Sequence, residues 1–207
     1  MQLTFHDVTL TFETDAAVFS PHGLDRGTAA MLEAAHLPAE GAFLDLGCGF
    51  GFVATFLAKT HPAAQLTAVD VDPDAVRLTQ ANAAANGVAV RTLVSDGWGQ
   101  LNGQTFAAVL SNPPYHTDFK VAKGFIEGAH QHLQTGGKLY MVTKRRTWYE
   151  NKIRSTFGFV QVTEQDGYFV FYAEKRPHRS VAKPNQHGLS KKLARKEAKR
   201  HQHANRH

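Results

Sequence analysis

Residues 111–116 read Ser-Asn-Pro-Pro-Tyr-His and follow the apolar run at 106–110. Two adjacent prolines lack the donor N–H and fix φ, so they neither continue a strand ladder nor sit inside a helix. The chain must leave its strand here. The Asn112 side-chain oxygen and the Pro113 carbonyl are two acceptors held by rigid rings. Together they can take both hydrogens of a planar exocyclic amine, aim its lone pair at an electrophile and favour the positive charge that develops. Pro114 stiffens the turn, and Tyr115 offers a face on which a flat base stacks, worth about 1–3 kcal/mol in single-strand binders. Asn112 has no useful basicity, so the proton departs to water after the new bond forms. His116 suits substrate contact and loop packing equally, and the bland alternative for the whole stretch is a rigid exit turn.

A second group of residues supplies the electrophile's seat. In Leu-Asp-Leu-Gly-Cys-Gly-Phe-Gly (44–51) the glycines at 47, 49 and 51 follow a strand and open a helix, where backbone without Cβ can approach a ligand closely. Their spacing is G-x-G-x-G; a dinucleotide fold would want a sixth-position glycine, and Phe52 stands there. Asp45 precedes the loop, and a carboxylate there would repel a pyrophosphate but suit an ammonium or sulfonium. The sign of that charge favours S-adenosylmethionine over NAD. Asp70 ends the next strand, where an acid can take both ribose hydroxyls, with Val71 beside it. Asp96 ends the third, where it could accept from an adenine amine while Gly97 lets backbone near the ring. Cys48 belongs to the same loop as a small filler without chemistry of its own. The alternatives are a ligand-free tight turn at 47–51, a helix-capping role for Asp70 and an ordinary Asp-Gly turn at 96–97.

Strands alternating with helices position these loops. The start at 3–12 alternates like an edge strand or hairpin, and Asp25 can cap a helix over 26–36 by accepting from the N–H of Gly27 or Thr28. Strands are expected at 42–46, 65–71, 88–94, 106–111 and 138–144. The helix after Asp72 has Pro73 in its first position and Gly87 past its end. Further helices are expected at 52–61, about 119–134 (stopped by Gly136 and Gly137) and 147–158, and a final hairpin over 160–175 turns at Asp166-Gly167. The fold class is α/β: a Rossmann-like, doubly wound, seven-stranded, mostly parallel sheet with an antiparallel C-terminal hairpin strand. Ligands bind such sheets at the carboxyl ends of the strands, where every loop singled out above lies.

The 207 residues, 43% hydrophobic, can bury a full core. No apolar stretch reaches the roughly 20 residues a membrane span needs, and the first residues lack the pattern of an export signal, which points to a cytoplasmic protein. One cysteine excludes an intrachain disulfide and any cysteine cluster for zinc, and no metal site is expected. The formal charge of +5 conceals a division: 175–207 carries 11 Lys/Arg and one acid, leaving 12 basic and 17 acidic residues in 1–174. The expected organisation is a catalytic domain over 1–174 and a basic tail over 175–207. That tail, poor in large apolar side chains, is disordered or becomes helical on binding. It could neutralise phosphates or serve only solubility.

In their order, the motifs at 44–51, 69–72, 95–98 and 111–116 resemble those of class I S-adenosylmethionine-dependent methyltransferases. With Val-Phe-Ser-Pro-His-Gly-Leu-Asp-Arg-Gly-Thr (18–28) and the histidine after the Asn-Pro-Pro-Tyr run, the likeness narrows to ribosomal RNA small subunit methyltransferase C and related guanine-N2 methyltransferases, over about 5–174. That resemblance implies methyl transfer to the exocyclic N2 of a guanine in small-subunit rRNA, with rRNA or the small subunit as partner. It implies a catalytic loop of Asn112, Pro113, Pro114 and Tyr115. The cofactor site it implies comprises Asp45, Gly47, Cys48, Gly49, Gly51, Asp70, Val71, Asp96, Gly97 and Asn112. Longer members of that family carry a degenerate half before the active one, for which 1–174 has no counterpart, and usually have Phe at the position of Tyr115. A glutamine amide in a release factor and adenine in DNA are the alternative acceptors, since both use loops of this type. A module that binds the cofactor or RNA without turnover is the non-enzymatic alternative.

Overall fold

A computed structural model describes residues 1–13, 24–113 and 119–177. The chain divides into two units, Met1–Arg176 and Pro177–His207. Residues 14–23, the loop 114–118 with Pro114, Tyr115 and His116, and the basic tail from 178 lie outside the described residues.

The elements run β1 (Gln2–Phe5), β2 (Val8–Thr11), α1 (Arg26–Ala34), β3 (Glu40–Leu46), α2 (Phe52–Thr60), β4 (Ala63–Asp70), α3 (Pro73–Ala85), β5 (Arg91–Val94), β6 (Phe106–Ser111), α4 (Phe119–His132), β7 (Leu133–Thr143), α5 (Arg146–Phe157), β8 (Gln161–Gln165) and β9 (Tyr168–Glu174). Seven strands form one sheet in the order β5-β4-β3-β6-β7-β9-β8. The first five are parallel, and the β8–β9 hairpin joins β7 antiparallel, as the sequence predicts. Strand order reverses between β3 and β6, which opens a crevice at their carboxyl ends.

The central strands β3, β6 and β7 are buried on both faces, so they carry unbroken apolar runs, whereas the outer strands β5 and β8 stay partly exposed. Phe43, Ala108 and Leu110 pack under α1, α2 and the N-terminal hairpin, while Leu44 and Val109 pack under α4 and α5. Local chemistry sets the ends of the elements. Asp25 Oδ1 accepts from Thr28 N–H at 2.9 Å to cap α1, and Asp72 accepts from Asp74 N–H to cap α3 with Pro73 in its first turn. Asp166 and Gly167, both left-handed at φ 50° and 77°, make the tight turn between β8 and β9.

The N-terminal strands pair antiparallel, the hairpin alternative expected for 3–12, in a two-stranded sheet of their own packed on α2 by edge contacts such as Phe5–Phe56 at 5.2 Å. Helix α3 holds the strand that leaves it: Asn86 pairs both amide atoms with the Thr11 backbone, and Asn82 pairs with both Glu13 backbone groups. An Asn amide presents the same donor and acceptor as a peptide, so it can extend a ladder from a helix. Strand β7 starts earlier than expected, at Leu133. The pairing shifts between Phe106↔Leu133 and Ala108↔Lys138, so the two glycines sit within an irregular strand start. Gly136 there donates to Lys175 O and Gly137 O accepts from Lys175 N–H, which ties this start to β9. Among the described residues no helix is long and apolar enough to cross a membrane.

Candidate active site

The glycine turn is stitched to the end of β4. Gly47 and Cys48 N–H groups both donate to Val69 O, at 2.9 and 3.0 Å, and Gly49 N–H donates to Asp70 Oδ2 at 3.0 Å. Asp70 Oδ1 accepts from Asp72 N–H at 3.1 Å. One carboxylate thus spans two loops while using about half of its four lone-pair sites. Gly51 caps α2 at φ 89°, and a Cβ there would stand 2.8 Å from the Thr79 backbone and side chain, so α3 packs where only glycine fits. Thr79 Oγ1 holds the turn from below through Gly49 O at 3.0 Å and Cys48 Sγ at 3.3 Å.

The three strand-end acids occupy three different environments. Asp45 is 3% exposed beneath the turn, and its Oδ2 accepts from Ala54 N–H at 3.1 Å. Burial raises its carboxyl to about 7; the Ala54 bond opposes the rise and the charge of Asp70 adds to it. Asp70 is half-buried, and Asp96 is exposed on the turn after β5. Buried Ser95 shapes that turn by donating to Gly97 O at 2.9 Å and accepting from Gln100 N–H at 3.1 Å. Val71 is 65% exposed, an apolar side chain open to a ligand at the end of β4. Burial, with Asp45 and Asp70 nearby, pushes the Cys48 thiol far above its usual range, which leaves it inert.

Asn112 lies across the crevice from the glycine turn. Buried Ser111 donates to Leu46 O at 2.7 Å, one residue before Gly47, so the ends of β6 and β3 are locked together. The Asn112 amide nitrogen donates to Asp25 Oδ1 at 2.8 Å and to Thr28 Oγ1 at 3.0 Å. A carboxylate oxygen only accepts, so it must face the NH₂ end, and the amide oxygen is turned to the other side. Tyr168 supports the same carboxylate with its hydroxyl at 3.4 Å from Oδ2 and lays its ring over Gly27, where a Cβ would be 2.6 Å from Cδ1. Pro113 is buried. Pro114, Tyr115 and His116 lie outside the described residues.

Sequence reading missed three contributors. Asp25 reads as a helix cap but also orients Asn112, 87 residues away. Tyr168 reads only as a hairpin residue. Phe125 of α4 reads as part of an apolar stripe, yet its ring lies beside both turns: a Cβ at Gly47 would be 3.8 Å from it and one at Gly97 3.4 Å. None has a local signal, because each acts through a contact made only when β6, β9 and α4 converge. Among the described residues no group of three His, Cys, Asp or Glu side chains could hold a metal ion.

The chain is similar in sequence and fold to known proteins. Ribosomal RNA small subunit methyltransferase C of Klebsiella pneumoniae is 38% identical over 167 residues, covering 79% of this chain and 48% of that protein. Its Escherichia coli counterpart is 36% identical with the same coverage. The chain spans about half the length of the curated relatives it matches. The solved T. thermophilus 16S rRNA N2 G1207 methyltransferase, in complex with AdoMet and guanosine, superposes with a TM-score of 0.79 at 29% identity, covering 85% of this chain and 50% of that one. TrmN from Thermus thermophilus gives 0.59 at 26% identity, covering 70% and 47%. The methyltransferase small domain model matches residues 9–173. The chain belongs to the methyltransferase small domain family.

Proposed function

We propose that this chain transfers the methyl group of S-adenosylmethionine to the exocyclic N2 of a guanine in small-subunit rRNA. One observation carries the reading: the Asn112 amide, fixed by Asp25 and Thr28 with its oxygen turned away from them, stands at the switch point beside a glycine turn lined by acids. Relatives named as small-subunit rRNA methyltransferases, and a structural neighbour described with AdoMet and guanosine, support the same acceptor and cofactor.

The residues fit the cofactor by their chemistry. Gly47, Gly49 and Gly51 give backbone access, the two remaining lone-pair sites of Asp70 suit a ribose diol, and Asp96, Gly97 and exposed Val71 suit an adenine edge and face. Cys48 serves as filler, and Asp45 beneath the turn favours a positive ligand above it. When bound, S-adenosylmethionine supplies a methyl carried on a sulfonium. Asn112 Oδ1 and the Pro113 carbonyl accept the two hydrogens of the guanine amine and orient its lone pair. They also stabilise the charge that grows on nitrogen. Asp25 fixes which end of the Asn112 amide meets the substrate. Pro114 holds the turn and Tyr115 stacks on the base. The proton on the methylated nitrogen leaves to water, since an amide is no base.

We also assign the segment 175–207 to rRNA binding through phosphate neutralisation, with 1–174 as the catalytic unit and the cytoplasm as the place where both act. The test offers radiolabelled cofactor to small ribosomal subunits, free rRNA, DNA and release factor. Label on rRNA, alone or in the subunit, is the expected result. Label only on DNA or release factor would replace the acceptor, and cofactor binding without transfer to any of them would replace the enzyme by a binding module.

A further inference from the structure

The carboxyl edge of the sheet is divided by charge, with Asn112 at the boundary. On the β3, β4 and β5 side stand Asp45, Asp70, Asp72, Asp74 and Asp96. On the β6 and β7 side, five of the twelve cations in residues 1–174 gather at the starts of two helices: Lys120 and Lys123 on α4, and Lys144, Arg145 and Arg146 leading into α5. All five are exposed. The acids among the described residues nearby are already engaged: Glu127 pairs with Lys152, Glu150 pairs with Arg146 and Arg154, and Asp25 holds Asn112. In sequence Asp118 adjoins this stretch, outside the described residues.

The cations are held in place by ring contacts. Phe119 of α4 stacks on Trp148 of α5 at 4.5 Å, and the Arg145 guanidinium lies 5.2 Å from the Phe119 centroid. Lys144 Nζ lies 4.9 Å over the Tyr168 ring, whose hydroxyl reaches Asp25. A guanidinium on a ring face keeps its N–H fork directed outward in its own plane, ready for phosphate oxygens. Arg145 has no ion pair among the described residues. Helix α5 also begins with no acid in its first turn and no side-chain cap, so these cations stand at the positive end of its dipole. The dipole disfavours cations at that end, and a polyanion would offset the cost.

From this division we infer that Lys120, Lys123, Lys144, Arg145 and Arg146 form the ledge that receives the phosphates flanking the target nucleotide, in a single-stranded segment of RNA. A guanine N2 is engaged when the base is paired, so the acceptor must be presented unpaired, with its neighbouring phosphates near the amine. Residues 111 and 141 are partners in adjacent parallel strands, which puts the Lys144–Arg146 run about one strand spacing of ~4.8 Å to the side of Asn112 and just beyond it. The acidic half repels the same backbone, so the RNA crosses β6 and β7 and stays off β4 and β5. The inference rests on the reading of the site as an RNA methyl-transfer site.

The experiment measures affinity for a small-subunit rRNA transcript against salt with the full chain. The variants are Lys144→Gln/Arg145→Gln/Arg146→Gln, its Arg145→Lys/Arg146→Lys charge-preserving companion, and a Lys59→Gln/Arg91→Gln control at the opposite edge of the sheet. Three lost phosphate contacts lower the log–log salt slope by about 2 and affinity at 0.1 M salt by at least tenfold. The Lys companion should keep the slope, the control should match the parent, and S-adenosylmethionine affinity should stay within about twofold in all. An unchanged slope in the triple variant overturns the ledge, whether or not the parent methylates RNA, and so does an equal loss in the control. Unchanged binding to naked rRNA with impaired labelling of assembled subunits would reassign the surface to a ribosomal protein, again overturning it. A parent that binds RNA through the ledge yet transfers no label would overturn the enzymatic reading and leave the ledge standing.

Discussion

Replacing Asp25 by alanine tests the orientation of Asn112 directly. Three donors converge on this carboxylate: Thr28 N–H at 2.9 Å, Asn112 Nδ2 at 2.8 Å and the Tyr168 hydroxyl at 3.4 Å. Loss of the helix cap costs about 1 kcal/mol of stability. The Asn112 bond is charge-assisted and worth about 1.5–3 kcal/mol. Thr28 Oγ1 cannot replace it, because a hydroxyl donates as readily as it accepts and so serves either end of the amide. Without Asp25 the NH₂ end can meet the substrate amine, donor against donor. If all of that energy is lost from the transition state, the single-turnover rate falls by about 10–150-fold. Affinity for S-adenosylmethionine should hold, since Asp25 has no bond to the glycine turn among the described residues. Asp25→Asn keeps an oxygen for Thr28 and Asn112 and should lose less than about tenfold. Single-turnover transfer of labelled methyl under saturating RNA, with calorimetric cofactor binding and a thermal melt, gives all three quantities. A parental rate in Asp25→Ala, or a cofactor affinity that falls in step with the rate, would refute the reasoning.

The remaining predictions concern the cofactor side and the tail. Asp45, raised to about 7 by burial, should ionise more readily beside a sulfonium. Affinity for S-adenosylmethionine should therefore rise with pH, by at most about tenfold per unit, up to about 7 and then level off. The neutral thioether product should lack this extra slope, and Asp45→Asn should abolish it; identical pH profiles for the two ligands would be inconsistent with the assignment. In the ligand-free protein the same raised carboxyl keeps its proton where the unfolded chain has lost it. Its contribution to stability is therefore greatest below the ordinary carboxyl value of 3.8 and declines as pH rises to about 7. Gly51→Ala should destabilise by about 1–3 kcal/mol in chemical denaturation, since both φ 89° and the 2.8 Å approach of Thr79 resist a Cβ. Removing 178–207 should weaken rRNA binding and flatten its salt dependence, and an unchanged slope would leave the tail without that role.

What could be read from the sequence is what neighbouring residues decide among themselves. The Asp72-Pro73 helix start, the Asp166-Gly167 turn and the alternation of apolar strands with helices each have a local cause, and the elements stand where those causes put them. The irregular start of β7 is different: Gly136 and Gly137 read as a break, but backbone pairing with Lys175 draws them into the strand. The hairpin's attachment through Asn82 and Asn86 joins residues about 70 apart, beyond any periodicity. The site divides in the same way. Gly47, Asp70 and Asn112 announce themselves by type and position, whereas Asp25, Tyr168 and Phe125 acquire their roles only when distant elements meet. Even Asp45 and Asp70, alike on paper, differ in burial and partners.

The most direct test of the central claim is Asn112→Ala, measured for S-adenosylmethionine binding and for formation of N2-methylguanine in small-subunit rRNA, with the product nucleoside identified by mass. The parent should make N2-methylguanine. The variant should keep cofactor affinity within about twofold while losing on the order of 2.7–4 kcal/mol of transition-state stabilisation, a rate lower by about 10²–10³. A variant that methylates at the parental rate, or a parent whose product is any other methylated group, would contradict the claim.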